Sequence, residues 1–451
     1  MNAVVKMLPR TQAFILAGGQ GQRLFPLTRD RAKPVVPFAG DYCLIDFTLS
    51  NCFNSGLRRI NILTEHQCES LHSYVDALAP KSPIRSDRGE FLLCFCPAVG
   101  KRYRGTADAL FQNLSLLAKT RAEFVVILSG DHVYRMDYRD LLQFHSDSCA
   151  DVTIAGVECP RDAASQFGVL ETDSKEHAVG FEEKPNNPKS IPAKPSKSLV
   201  SIGVYVFSAR TLVKVLVDDA QQDTAHDFGK NIIPGLLRSN RVSVYNFTEK
   251  GTRLGSYWRD VGTLDAYYRA HMELLLSPTL DPYDGADWPL YCLDGYLLPK
   301  RRQRDRRTVG SALDSVISRE ASLGRGGRVV HSVLSPGVRI ECNANVHSSI
   351  LLPNVHVGIG ARIQRAILDE NVRIADGVEI GYDVNKDRDY GLVTDAGIVV
   401  IPANTCVGPP QTFCPPQATW RTELINKEQP KCRQREDASP ITERKSRAHR
   451  Q

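Results

Sequence analysis

In the last third of the chain, apolar or small residues return every six positions: Ile340, Val346 and Leu352; Val355, Ala361 and Ile367; Val357 and Ile363; Val372 and Val378; Ile374 and Ile380. Few folds accommodate that period. Each short strand makes one side of a triangular coil, and stacked coils bury one continuous apolar column. Residues 328–408 are therefore expected to form a left-handed parallel β-helix. The register slips between the groups, and irregular β-structure is the alternative reading.

The first two-thirds are patterned differently. Ala13-Phe14-Ile15-Leu16-Ala17 reads as a buried strand running straight into Gly18-Gly19-Gln20-Gly21. Further apolar runs at 60–63, 124–128, 152–157 and 200–207 alternate with helical stretches such as 108–119 and 138–145. That alternation indicates an α/β domain over residues 11–273, with a mostly parallel sheet covered by helices on both faces. Residues 1–10 are a short N-terminal extension. Residues 274–327 loosen into Pro, Asp and Gly around a basic run at 300–307 and read as a connector. Residues 409–451 are rich in Pro, Gln, Arg, Lys and Glu and are expected to be a disordered basic tail.

A chain of 451 residues with 42% hydrophobic content can bury two cores. It has no run of the roughly 18–20 apolar residues a membrane span needs, and residues 1–10 lack the apolar core of a secretory signal. The cytoplasm is the expected location, with no membrane partner. The twelve cysteines are scattered, and Cys94 and Cys96 stand too close for a zinc knuckle, so most are expected to be small buried apolar residues. A net charge of +6 is modest for this length and clusters at 300–307 and beyond 421, so no nucleic-acid partner is inferred.

Glycines in the 18–21 turn let backbone amides approach phosphate oxygens, and Arg23 adds a charge-assisted contact. A glycine cluster alone also fits a tight turn that binds nothing. Pro26-Leu27-Thr28 and Ala32-Lys33-Pro34 then supply a second cation to neutralise a triphosphate. Asp131 follows the 124–128 run, at the carboxyl end of a central strand, where α/β folds hold ligands. Lys184, in Glu183-Lys184-Pro185, is a flexible ammonium suited to a sugar phosphate, with a solvated loop lysine as the bland alternative.

Taken together, Leu16-Ala-Gly-Gly-Gln-Gly-Gln-Arg-Leu24 and Arg31-Ala-Lys-Pro34 resemble the opening signature of the sugar-nucleotide pyrophosphorylases. Ile45-Asp46-Phe47, Tyr103-Arg104-Gly105-Thr106-Ala107-Asp108, Ser129-Gly130-Asp131-His132, Phe181-Glu182-Glu183-Lys184-Pro185 and Tyr257-Trp258-Arg259-Asp260-Val261-Gly262-Thr263 continue the likeness toward the bacterial ADP-glucose branch, over residues 11–400. The resemblance implies a Rossmann-like nucleotidyltransferase domain before the β-helix, and synthesis of ADP-glucose and pyrophosphate from ATP and glucose 1-phosphate for storage glucan. It implies Mg²⁺ shared by Asp131 and Asp260, catalysis by these two with Arg23 and Lys33, and a nucleotide held at Leu16, Gly18, Gly19 and Gly21, with Gly105 and Thr106 at the base. It places the sugar phosphate among Tyr103, Gly168, Glu183, Lys184 and Ser201, with Trp258 beside the sugar or simply in the core. It also implies a homotetramer.

Four positions depart from the pattern. Asp30 stands where relatives that respond to fructose 1,6-bisphosphate carry lysine, Cys43 where an arginine is common, Glu65 in place of glutamine and Arg102 in place of tryptophan. The first two remove cations from an anion site, so regulation by a sugar bisphosphate is expected to be altered or absent, unless Arg29, Arg31 or the 300–307 run compensates. The competing functions are a pyrophosphorylase using UTP or dTTP, a catalytically weak regulatory subunit, and a hexapeptide acyltransferase.

Overall fold

In the computed structural model the described residues are 3–78, 92–97, 102–250, 256–276, 288–292, 295–296, 310–318 and 320–408. The basic run at 300–307 and the expected tail at 409–451 lie outside them. The strands that matter for function are β1 (Thr11–Leu16), β2 (Arg59–Thr64), β3 (Leu92–Pro97), β4 (Phe124–Ser129), β5 (His132–Tyr134), β6 (Val152–Pro160), β7 (Gly168–Thr172), β8 (Ala178–Glu183), β9 (Lys197–Ser208), β10 (Val242–Asn246) and β11 (Trp258–Asp260).

Nine of these form one sheet in the order β8-β7-β9-β4-β1-β2-β3, with β6 also paired to β9 and carrying β10 on its other side. β3, β2, β1 and β4 are mutually parallel; β9 runs against β4, β6 and β7. The strands read as unbroken apolar runs because both faces are covered. On β1, Ala13 and Ile15 enter one core while Phe14 enters the other; on β4, Val126 and Leu128 face the first and Val125 and Ile127 the second. The first core takes Ile45 and Leu49 of helix Leu44–Ser55 and Leu141 and Leu142 of helix Tyr138–Asp147; the second takes Leu212 and Leu216 of helix Ala209–Ala220. Burying each such leucine or isoleucine contributes about 1.5–3 kcal/mol.

β5 and β11 stand apart as a short antiparallel ribbon, with Asp260 opposite His132. The expected helix at 108–119 is broken into Thr106–Phe111 and Ser115–Thr120. Asn113 Nδ2 donates to the Ala109 carbonyl, and the Asn113 amide bonds Leu110 instead, so the side chain competes with the helical ladder at that point. The N-terminal extension contributes a short helix, Ala3–Met7, that buries Val4 and Met7.

The C-terminal domain is a three-sided parallel β-helix with one ladder of strands on each side. Its repeat is seventeen residues rather than three sixes, as the spacing between stacked serines shows. Successive sides begin at Ser311, Val316, Ser322 and Arg328, in steps of five, six and six. The short step accounts for the slipping register of the sequence pattern, and the first coil starts at Ser311, ahead of the boundary at 328 that the pattern suggests. At the tight corner Asp314, His331, Ser348 and Arg365 take left-handed backbone angles. Ser315, Ser332 and Ser349 follow the first three. Each donates its hydroxyl to the carbonyl two residues back and accepts the amide of the next coil, so the corner is satisfied without water. Between Ile374 and Val407 the repeat lengthens to thirty-three residues, as between Asn371 and Asn404, and the excess holds helix Val384–Tyr390.

The two domains share one core. Leu24, Leu27, Val36, Phe38, Leu264 and Tyr267 pack with Ile350, Leu352, Ile367, Ile398 and Val400 of the coils. Arg31 crosses this seam to Asp369 at 2.5 Å and Glu370 at 2.6 Å, Tyr268 donates to the Ser348 carbonyl at 2.6 Å, and Thr394 donates to Asp265 at 2.6 Å.

Candidate active site

Three parallel strands end together. The Gly130 amide donates to Leu16 O after β4, and the Ala17 amide donates to Leu63 O of β2, so the 18–21 loop emerges between the carboxyl ends of β2 and β4. Gly21 needs to be glycine: its φ is 61°, and a Cβ there would stand 2.9 Å from Thr28 Cγ2. Thr28 in turn donates its hydroxyl to Gly21 O at 2.9 Å. Gly19 is open, with nothing within 4 Å of where its Cβ would be. Backbone amides on such a loop are free to meet an anion.

Arg23 is exposed on the short 3₁₀ turn Gln22–Leu24. A Cβ built on Gly262 would lie 3.1 Å from Arg23 Nη2 and 3.0 Å from Asp260 Oδ1, so the guanidinium and that carboxylate both crowd this glycine. Lys33 opens the turn Lys33–Val35 and projects its buried ammonium to Asp131 Oδ2 at 2.7 Å and toward Asp260 Oδ1 at 3.9 Å. The two aspartates, distant in sequence, thus share one cation. The β5–β11 ribbon brings this about: Asp260 faces His132, the neighbour of Asp131.

Burial works to raise the Asp131 carboxyl, but Lys33, His132 and hydrogen bonds from Lys33 and Ser129 prevail and hold it well below the ordinary carboxylate range. It is an anion at every working pH. His132 Nε2 lies 3.6 Å from Asp131 Oδ1, and the His132 ring meets Trp258 edge to face at 5.2 Å. Ser129 and His132 were not singled out by sequence reasoning, although both stand within the Ser129-Gly130-Asp131-His132 motif.

The sugar-phosphate candidates gather at the other end of Trp258. Phe167 packs against its ring at 5.4 Å, and the Lys184 amide donates to Phe167 O. Gly168 is hemmed in: a Cβ there would stand 2.3 Å from the Phe181 ring and 2.9 Å from Glu183 Oε2. Glu183 lies between Gly168 and Gly229; burial raises its carboxyl above the usual value while Lys184, 3.7 Å away, pulls the other way. The Lys184 side chain is 56% exposed and sits on a left-handed residue, φ 50°, which turns it out of β8. Ser201 is buried beside the Tyr205 hydroxyl, at the point where β9 bulges away from β6. The bulge brings Gly203 beside the other end: a Cβ there would stand 3.6 Å from Ser129 Cβ and His132 Cε1, so one irregular strand runs past both ends of the site.

Gly105 and Thr106 are held by the 225–228 segment. A Cβ on Gly105 would lie 2.3 Å from Ala225 O, and Thr106 Oγ1 donates to Asp227 at 3.0 Å while accepting the Phe228 amide. Asp227, another residue the sequence did not single out, ties these two to the π-helical turn Phe228–Ile232 and so to Gly229 and Glu183. Tyr103 accepts from Asn113 and packs on the same core as Phe181 and Phe228. Of the cysteines, Cys43, Cys52 and Cys292 are buried, Cys68, Cys159, Cys342 and Cys406 are partly so, and Cys149 is exposed.

A glycine loop, two cations and a pair of carboxylates at one end, with a carboxylate and an exposed ammonium at the other, can hold two phosphorylated substrates head to head. Residues 12–277 match the family model for nucleotidyl transferases, and residues 299–401 match that for a GlmU-like C-terminal hexapeptide domain. A glucose-1-phosphate adenylyltransferase of Rhodopirellula baltica is 44% identical over 90% of this chain and 92% of its own. One from Anaeromyxobacter dehalogenans is 45% identical over 86% of this chain and 97% of its own. Glucose-1-phosphate adenylyltransferase 2 of Vibrio cholerae is 42% identical over 87% and 97%.

Proposed function

The chain belongs to the glucose-1-phosphate adenylyltransferases, and from that premise we propose that it joins ATP to glucose 1-phosphate, releasing pyrophosphate and giving ADP-glucose as a glucosyl donor for storage glucan. The observation that carries this is the Lys33–Asp131–Asp260 cluster beside the glycine loop, linked through Trp258 to Glu183 and Lys184.

ATP lies along the 18–21 amides, with Arg23 and Lys33 toward its phosphates. Glucose 1-phosphate sits with its phosphate at Lys184 and its hydroxyls toward Glu183. A phosphate oxygen of the sugar attacks the α-phosphorus in line, the bond to the β-phosphate breaks, and pyrophosphate departs against Arg23 and Lys33. The attacking oxygen is already anionic, so positioning replaces a general base. Asp131 and Asp260 offer hard, part-exposed oxygen donors, and this set fits Mg²⁺, whose remaining ligands would come from substrate phosphate and water. Bound there, the ion would supply charge neutralisation at the transferring phosphate.

Pyrophosphate release by the purified protein with Mg²⁺ and glucose 1-phosphate, compared for ATP, UTP and dTTP, tests the assignment; preference for either pyrimidine nucleotide overturns it. Lys184→Ala should raise the KM for glucose 1-phosphate about a hundredfold with little change in that for ATP, because it removes a charged phosphate contact from one substrate only. Equal effects on both substrates would refute the placement of Lys184.

Activation by fructose 1,6-bisphosphate should be below about twofold, because the local cations are already engaged. Arg29 bonds Asp30 and the Ala403 carbonyl, Arg31 is committed to Asp369 and Glu370, and Cys43 is buried against Val35 O. Strong activation in the same assay would contradict this. Resemblance to the family supports a homotetramer in the cytoplasm, which light scattering of the purified protein and fractionation of the cells that make it would check.

A further inference from the structure

Glu65 follows β2 directly beside the glycine loop. Its Cβ lies 3.1 Å, and its Oε2 3.6 Å, from where a Cβ on Gly18 would stand. A carboxylate there stands beside whatever anion the loop accepts, and like charges so placed repel. The opposing cation is Arg102, which leads into the 103–106 segment. Its Nε stands 3.9 Å from Glu65 Oε1, near enough for attraction and too far for a hydrogen bond. The Arg102 side chain is 69% exposed and that of Glu65 20%. The guanidinium is therefore drawn to the loop while its planar set of donors is left available.

We propose that Glu65 and Arg102 form a charge-balanced nucleotide clamp, in which Arg102 bridges the Glu65 carboxylate and the phosphates of ATP. Glu65 keeps the guanidinium over the loop in the free enzyme, and Arg102 masks the carboxylate when the anion arrives. The pair accounts for two departures at once, since the carboxylate would be unfavourable beside an anion-accepting loop without the guanidinium. Arg102 thereby acts as an ATP-binding residue and Glu65 as a positioning residue. The inference rests on the reading of the 18–21 loop as the nucleotide site.

Calorimetric binding of MgATP to wild type, Arg102→Ala, Glu65→Gln and the double variant tests it, with turnover measured alongside. Arg102→Ala should weaken ATP binding about tenfold, because it removes a cation and unmasks an anion at once. Glu65→Gln should change it by less than about threefold, and the double variant should recover to within about threefold of wild type. The KM for glucose 1-phosphate should stay within about twofold throughout, a separation between the two substrates that a purely structural role would not give. Unchanged ATP affinity in Arg102→Ala, or a double variant as weak as the product of the two single effects, overturns the clamp. Wild type that binds MgATP with this pattern yet releases no pyrophosphate would leave the clamp standing and remove the proposed reaction; wild type that does not bind MgATP removes both.

Discussion

Asp131→Ala is expected to lower turnover by about three orders of magnitude or more while the protein still folds, an effect of the size seen when a principal electrostatic group leaves an active site. The argument is one of charge. Asp131 anchors Lys33 at 2.7 Å and is one of the two carboxylates available to Mg²⁺. Without it Lys33 is left 3.9 Å from Asp260, and one carboxylate of the proposed Mg²⁺ site is lost. Asp131→Asn, which keeps the shape and part of the hydrogen bonding, should fare nearly as badly. Stability should respond in a signed way. The folded-state carboxyl is held below its ordinary value, so its contribution is present above the ordinary carboxylate range and lost as pH falls through the folded value. The alanine variant should therefore melt slightly below wild type at neutral pH, and the gap should narrow in acid. Turnover close to wild type in either variant would remove Asp131 from the mechanism.

The second large effect concerns the domain seam. Arg31→Ala is expected to destabilise the protein by about 3–5 kcal/mol at pH 8, the usual result of removing one member of a buried ion pair. Arg31 is 11% exposed and Asp369 1%, so the orphaned carboxylate cannot turn to water. Burial pushes Asp369 up to about 6 even with Arg31 pulling it down. A group raised in the folded state contributes stability that is full below its unfolded value and is lost as pH rises through the folded one. Removing Arg31 lifts Asp369 further and carries that window into neutral pH. Urea midpoints of the variant should therefore fall steeply between about pH 5.5 and 8 while those of wild type change less. A variant that tracks wild type across this range would show that the pair carries no weight. Turnover should fall as well, because Arg31 stands two residues before Lys33 and Asp265 five after Asp260, so the β-helix grips the chain on both sides of the catalytic cluster.

The sheet was legible because strands buried on both faces cannot hide: β1, β2, β4, β6 and β9 all surface as apolar runs. The site was legible where function sits at strand ends, as with the glycine loop and Asp131. The meeting of Asp131 and Asp260 was not, since the ribbon that joins them is made of three-residue strands with no period to read. It came only from resemblance. Asp227 was missed for a related reason, because its role depends on a π-helical turn folding back on Thr106. The break after Phe111 turned on one asparagine side chain, a choice between near-equal hydrogen bonds that pattern cannot decide. Glu65 and Arg102 were each noticed as oddities, and only the structure shows that they face one another.

The seventeen-residue coil also makes the C-terminal domain a ruler. One extra residue within a side would turn every later apolar group out of the column, whereas gain or loss of a complete turn keeps the column and displaces the later coils by one rung, about 4.8 Å. An insertion is tolerated only where the chain returns to register, as the helix at Val384–Tyr390 does by rejoining the ladder in step at Val399–Ile401. Ser335 and Leu352 hold the place of Asp369 in the two preceding turns. A shift by a single rung would offer Arg31 a leucine instead of a carboxylate, so the number of turns before residue 369 decides whether the two domains can lock at all.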